Sequence, residues 1–516
     1  MDWNDGYVAD IAYPITFFPE QSPTHLAATC ILNGVEPIAP DAPFTYFELG
    51  AGMGLTSAVL AASHPHGTFY ANDFQPGHVA DARALAHEAQ LDNLTLLECS
   101  FADLAAGKVD LPPLDFITMY GVYSWVTAEN RRHIVNFIAR YLKPGGIVYV
   151  NYNAMPGWSG VVPLQRLMLE HADRYPGGRA RQVGTARAFV DRLAGVGATY
   201  FDGNAMLRQC LDTLHGDQTG YLAHEYLNRG WEPLYHADVV RDMADAKLDY
   251  VGAADPARAW PELFVDETRQ ALLADCPDPV LRETVWDYLH NTPFREDVLV
   301  RGARRMAPHR RQYWLERLAV ARLVATDDEV PRPPAVPPEQ AALLREQLLA
   351  LRDALGGGAP VPLTRLAALP AFGGMPLAGV ARLAAMLACG RQAAFCFTGA
   401  ADADDAPAQR LNAVLAGRAE HGDQHQVLAS PLLGNGMRAG LVQRLVYGVL
   451  ADSPGHRGED ADAATAHVAA LLERHARSLP PGPRTEELRK LQAELPQTVA
   501  AILRLRVPMW RAQRVL

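Results

Sequence analysis
A β-type run at residues 44–49 breaks into glycines at alternate positions, Gly50, Gly52 and Gly54, and this break constrains the chain more than any other feature. An amphipathic run over residues 55–62 follows it directly. Glycine at a strand-to-helix turn admits positive φ and lets a ligand approach main-chain N–H groups closely. The spacing alone fits a turn that only packs a helix on a sheet equally well. The next β-like run, residues 67–72, ends in Asp73, about twenty residues past the glycines, where an acid suits hydrogen bonding to ribose hydroxyls. Dinucleotides and S-adenosyl-L-methionine (AdoMet) both meet that description. Two details favour AdoMet: the glycines are tighter than Gly-x-Gly-x-x-Gly, and Glu48 lies inside the strand, two residues before the first of them.

From residue 44 the chain alternates strand and helix. Strands are expected at 94–99, 114–119 and 147–152, with helices over 76–90 and 128–142, the latter stopped by Lys143-Pro144-Gly145-Gly146. Further strands at 248–253 and 294–300 would complete a seven-stranded, Rossmann-like α/β sheet with a final antiparallel hairpin. Near-continuous apolar strands in βα repeats imply a parallel sheet covered on both faces, and ligands in such sheets bind at the carboxyl ends of the strands.

The organisation expected around that sheet runs as follows. Residues 1–43, rich in aromatics and proline (Tyr13, Phe17, Phe18), form an N-terminal flap over the cofactor or an extra helix packed on the sheet. Residues 44–157 are the AdoMet-binding core, 158–235 a helical insertion, and 236–310 the end of the core with its last two strands. A Pro-rich stretch at 330–338 then leads to a mainly helical C-terminal region within 311–516. Helices at 363–369 and 377–388 followed by a strand at 393–397 suit a winged-helix-like module, for docking or dimerisation in preference to DNA contact.

Composition sets outer limits. The formal charge of −11 argues against a nucleic-acid partner. The arginines at 301, 304, 305, 310 and 311 read as a solvated helix face. The start carries no basic and apolar leader pattern, and no run is long and apolar enough to span a membrane, so a cytoplasmic protein is expected. The 6 cysteines show no CxxC spacing and no clustered histidines, so no metal site is expected.

Residues after the strands supply the remaining candidates. Asp73 and Phe74 follow the second strand. Ser100 and Phe101 stand after the third, where Phe101 would stack on the adenine ring, with Asp103 nearby. Tyr120, Tyr123 and Trp125 follow the fourth strand, and Asn153 and Trp158 the fifth. Aromatics there would line a slot for an aliphatic amine, with cation–π attraction to a methylated ammonium, and Asn153 would accept a hydrogen bond from an incoming N–H. Packing of the next helix on the sheet accounts for Tyr123 and Trp125 equally simply.

Glu-x-Gly-x-Gly-x-Gly resembles the first motif of class I AdoMet-dependent methyltransferases. Residues 22–37, 121–126, 151–158, 221–227, 232–235 and 294–295 extend the likeness to members that carry a methyltransferase regulatory domain, similar to the rickettsial-type protein-lysine methyltransferases. The resemblance covers roughly the first 310 residues with specific motifs. It implies AdoMet as cofactor and a helical lid carrying His224 and Glu225 above the substrate, and it does not fix the substrate. Tyr13 and Tyr120 are expected beside the cofactor, and a protein or peptide acceptor is expected. The second strand departs from the family, with Ala71-Asn72-Asp73-Phe74 in place of a Gly-Ile-Asp pattern. The expected activity is methyl transfer to protein lysine. The alternatives are a small-molecule O- or N-methyltransferase and an AdoMet-binding scaffold or sensor without turnover.

Overall fold
The computed structural model describes residues 15–175, 177–203, 205–214, 226–324, 329–332, 335–451, 461–478 and 483–516. Strands β1 (Thr45–Leu49), β2 (Thr68–Asp73), β3 (Leu94–Glu98), β4 (Leu114–Met119), β5 (Leu142–Asn153), β6 (Leu248–Ala253) and β7 (Phe294–Arg301) form one sheet in the order β3-β2-β1-β4-β5-β7-β6. The first five run parallel, and β7 is antiparallel to both β5 and β6. This is the expected seven-stranded sheet with its terminal hairpin.

Burial with a period of two on both faces explains the apolar strands. Tyr46, Phe116 and Tyr149 point into one core, while Phe47, Ile117, Val148 and Val150 point into the other. Around the sheet lie α1 (Pro23–Leu32), α2 (Leu55–Ser63), α3 (Pro76–Glu88), α4 (Phe101–Ala106) and α5 (Ala128–Tyr141). Ser22 starts α1 as an N-cap followed by Pro23, and its side chain accepts from the Thr24 and His25 amides. The chain order reverses between β1 and β4, so the crevice at their carboxyl ends is the topological switch point.

Helices Val162–Arg174, Arg179–Gly195 and Ala205–Leu214 carry a small core of their own, including Leu164, Met168 and Val190. The arginines near residue 305 do not share one helix face: Arg304 and Arg305 are exposed between elements, and only Arg310 and Arg311 are on a helix. Arg310 pairs with Glu36, while Arg305 and Arg311 donate to the Asn33 and Leu32 carbonyls at the end of α1. Cations there satisfy carbonyls that a helix terminus leaves unpaired.

The C-terminal unit begins before the Pro-rich stretch. Strand β8 (Leu318–Arg322) is the centre of a sheet whose other strands, β9 (Val361–Pro362) and β10 (Ala393–Phe397), come after it. Helix Leu377–Cys389 is buried along most of its length by Leu344, Leu348, Leu366 and their neighbours. A hairpin of β11 (Val427–Ser430) and β12 (Asn435–Arg438) then packs with helix Ala406–Ala419 on α2 and α3, sharing one core with Val59 and Leu85. Ser22 Oγ donates to the Gly434 carbonyl, 2.6 Å away and 412 positions on. The C-terminal unit is therefore docked on the sheet, beside the switch point.

Candidate active site
The turn after β1 holds Gly50, Gly52 and Gly54 at φ of 67°, 55° and 71°. A Cβ built on Gly50 would lie 2.6 Å from Val122, whereas one built on Gly52 meets nothing within 4 Å. Gly50 is thus required by the close approach of the loop after β4, and Gly52 keeps open space in front of the turn. The Gly52 amide donates to Asp73 Oδ2 at 2.9 Å, and the Gln75 amide donates to Oδ1 at 2.9 Å. Oδ2 has a further lone pair for a hydroxyl, while Oδ1 also faces His78 Nδ1 at 3.5 Å.

This turn forms the edge of a cavity of about 460 Å³ at the carboxyl ends of β1, β2, β3 and β4. Glu48, Phe74, Ser100, Phe101, Tyr120 and Trp125 also line it. Glu48 is buried, accepts from Gln21 Nε2 at 3.0 Å and also accepts from the Ser57 hydroxyl. Burial pushes its carboxyl up to about 7. Ser100 caps α4 in a reciprocal box with Asp103, and Lys108 lies 2.7 Å from that carboxylate. The hydrogen bonds from Lys108 and then Ser100 hold Asp103 down at about 2.

Segment 15–18 closes one side of the cavity. The Phe18 ring stacks on Tyr120 with centroids 3.4 Å apart and planes 14° apart. Spacing and motif in the sequence do not pick out Phe18, Gln21 or Asn72 as site residues. The Phe17-Phe18-Pro19 run is the available signal for the first. Nothing local marks Gln21 as the partner of Glu48.

Three of the residues expected at the acceptor, Tyr123, Asn153 and Trp158, lie outside the cavity lining. Tyr123 is fully buried in the sheet core, with its hydroxyl 3.2 Å from Asp242 on helix His236–Ala244. Asn153 is buried too, and its Oδ1 accepts from Ser124 Oγ at 3.1 Å and from Trp231 Nε1 at 3.3 Å. Its acceptor is occupied, so it is a brace between loops and does not face an incoming N–H. Trp125 lines the cavity and adjoins Trp231, which in turn meets Trp158 edge-on at 5.1 Å. Trp158 Nε1 donates to the Pro293 carbonyl at 2.7 Å, outside the cavity wall. Segment 226–234 fixes these loops: Asn228 Nδ2 donates to the Trp125 carbonyl at 3.0 Å, and Arg131 pairs with Glu232. Tyr13, His224 and Glu225 lie outside the described residues. Among the described residues no group of His, Cys, Asp or Glu is arranged to hold a metal ion, and no helix is long and apolar enough to cross a membrane.

Comparison with known proteins agrees with this arrangement. A methyltransferase domain model matches residues 47–148, and a predicted methyltransferase regulatory domain matches residues 218–301. An uncharacterized protein of Synechocystis sp. is 36% identical over 324 residues, which are 63% of this chain and 64% of that protein. A Rickettsia prowazekii protein is 26% identical over 54% of this chain and 49% of its own length. The chain therefore spans about half to two thirds of the length of these relatives. The structure of PKMT2 from Rickettsia typhi in complex with AdoHcy superposes with a TM-score of 0.67, covering 97% of this chain and 99% of that one at 18% identity, and so shares the fold. The chain thus carries a methyltransferase domain over residues 47–148 and a match to the methyltransferase regulatory domain over 218–301, and in both it is similar to the class I AdoMet-dependent methyltransferases that combine the two.

Proposed function
We propose that this chain transfers methyl groups from AdoMet to lysine side chains of protein acceptors. Charge in the cavity carries the cofactor part of this reading. Its described lining holds Glu48, Asp73, Glu98 and Asp103, and neither Lys nor Arg. An anionic pyrophosphate would be repelled there, whereas AdoMet carries positive charge at its sulfur and its amino group. The space in front of Gly52 and the remaining lone pair of Asp73 Oδ2 fit the cofactor. When bound, AdoMet supplies a methyl group activated by the positive sulfur. Asp73 would hold the ribose hydroxyls, Glu48 the amino end, and Phe101 the adenine face. Asp103 is engaged by Ser100 and Lys108, which leaves stacking as the main hold on the ring.

Asp73→Ala removes the ribose contact and the pin on the Gly52 amide together. The affinity for S-adenosylhomocysteine (AdoHcy), read by titration calorimetry, is expected to fall by about 1–3 kcal/mol, with the fold retained. An unchanged affinity would mean that the sugar is held elsewhere.

The lysine acceptor is supported by the resemblance to rickettsial-type protein-lysine methyltransferases and by Trp125, which borders the cofactor cavity within the Trp231 and Trp158 cluster. An indole face there would attract an alkylammonium. Incubation with tritiated AdoMet and cell lysate is expected to label protein bands whose acid hydrolysate contains methyl-lysine. Label confined to small molecules would overturn the lysine reading and favour a small-molecule acceptor.

A further inference from the structure
A second cavity, of about 1420 Å³, lies between the sheet and the docked C-terminal unit. It shares Ile15, Thr16, Phe18, Met53 and Tyr120 with the cofactor cavity, so the two spaces are divided by one thin wall whose centre is the stacked pair Phe18–Tyr120. Sites for small molecules run to roughly 300–1,000 Å³. The second cavity exceeds that range and is about three times the volume of the first.

Its walls are of two kinds. On the sheet side Phe294 stands 6.2 Å from Tyr120, next to Glu296, whose Oε1 accepts from the Tyr149 hydroxyl at 2.8 Å. Glu20 lines the same cavity. On the other side are Ala394 and Phe395 of β10 and Met437 of β12, from the C-terminal unit. The geometry points to this second cavity as the acceptor channel: an extended peptide enters between the sheet and the C-terminal unit, and its lysine ammonium is received by Glu20 and Glu296 behind the Phe18–Tyr120 wall. The assignment rests on the lysine-methyltransferase reading and adds the route and the recognising groups. Burial, reinforced by the negative charge of Glu20, pushes the Glu296 carboxyl up to about 7, so an arriving cation offsets an existing charge penalty. Arg391, 3.8 Å from Glu20, would have to yield to the ammonium; it is exposed and able to move away. Aromatic rings beside the carboxylates suit the aliphatic stem and any methylated product. Phe18 sits on an irregular segment before the first helical turn, and rotation of its ring off Tyr120 is the motion that would open the centre of the wall.

The test uses the full chain, tritiated AdoMet and cell lysate, with AdoHcy calorimetry alongside. Ala394→Trp fills the channel, and the Glu20→Gln/Glu296→Gln double variant removes the two carboxylates that would receive the ammonium, while keeping an acceptor for Tyr149 and leaving the arginines of the C-terminal wall (391, 418, 438 and 506) in place. Both are expected to lower protein labelling at least about tenfold and to leave AdoHcy affinity within about twofold of wild type. Labelling by wild type and both variants at one level would overturn the channel and leave the lysine reading standing. No protein labelling by wild type would overturn both. Loss of AdoHcy affinity in the double variant would place Glu20 and Glu296 in the cofactor site and overturn the channel. Should Ala394→Trp fail to fold, the double variant decides alone.

Discussion
Gly52→Val is expected to abolish AdoHcy binding and to leave the protein folded. A Cβ built at 52 meets no protein atom within 4 Å beyond the adjoining residues, so the new side chain projects into the space in front of the turn that the ligand needs. The backbone there has φ of 55°, which a β-branched residue adopts at a cost of roughly 1–2 kcal/mol. That strain lowers stability modestly, against a net stability of about 5–15 kcal/mol for a typical domain. Steric exclusion of the cofactor is the larger effect, and affinity is expected to fall by more than about a hundredfold, or about 2.7 kcal/mol. Calorimetry with AdoHcy and a thermal melt on the same sample separate the two. Retained binding would show that the ligand does not pass in front of this turn.

The largest effect on stability is expected at Arg295. Its guanidinium is buried, donating from Nη1 to Asp287 at 2.8 Å, from Nη2 to Glu283 at 2.9 Å and from Nε to Asp297 at 3.0 Å. Asp297 also lies 3.1 Å from His236 Nδ1 and accepts from the Tyr152 hydroxyl at 2.6 Å. The group ties β7 to β5, to helix His236–Ala244 and to helix Pro279–His290, and so closes the edge of the sheet. Arg295→Met leaves carboxylates buried without their cation, which costs about 3–5 kcal/mol. Among these interactions, Arg295 and then His236 outweigh burial and hold Asp297 down at about 2. With the arginine gone, that carboxyl rises above its unfolded value, and the penalty is present above that folded pKa and fades as protonation sets in. The deficit relative to wild type is therefore expected to be smaller at about pH 5 than at about pH 8 in chemical denaturation. A deficit independent of pH would locate the loss in packing.

Features that act on their own neighbourhood are legible in the amino-acid sequence. The alternation of strand and helix from residue 44, the glycine turn and the acid ending β2 are local patterns, and they meet at one sheet edge because parallel βα units deliver every strand end there. Tyr123 sits on the loop after β4, where side chains carry no period and Gly121 at φ of 66° redirects the chain, while Asn153 is the last residue of β5 and its partners Ser124 and Trp231 come from distant loops. Sequence spacing does not tell the direction of either ring or amide. The Arg295 network draws on residues from two helices and three strands, and Ser22 meets Gly434 across nearly the whole chain. Such pairs leave no local trace. The change of character beyond residue 311 is legible in composition, whereas the pairing of β8 with β9 and β10 across the Pro-rich stretch is a long-range contact that leaves no local trace.

The most direct measurement is the structure of this protein with AdoHcy bound. The account predicts the amino-acid end of the ligand in front of Gly52, its ribose hydroxyls at about 2.6–3.0 Å from the Asp73 carboxylate, and its adenine against Phe101. A ligand bound elsewhere, or a ribose turned away from Asp73, would contradict it.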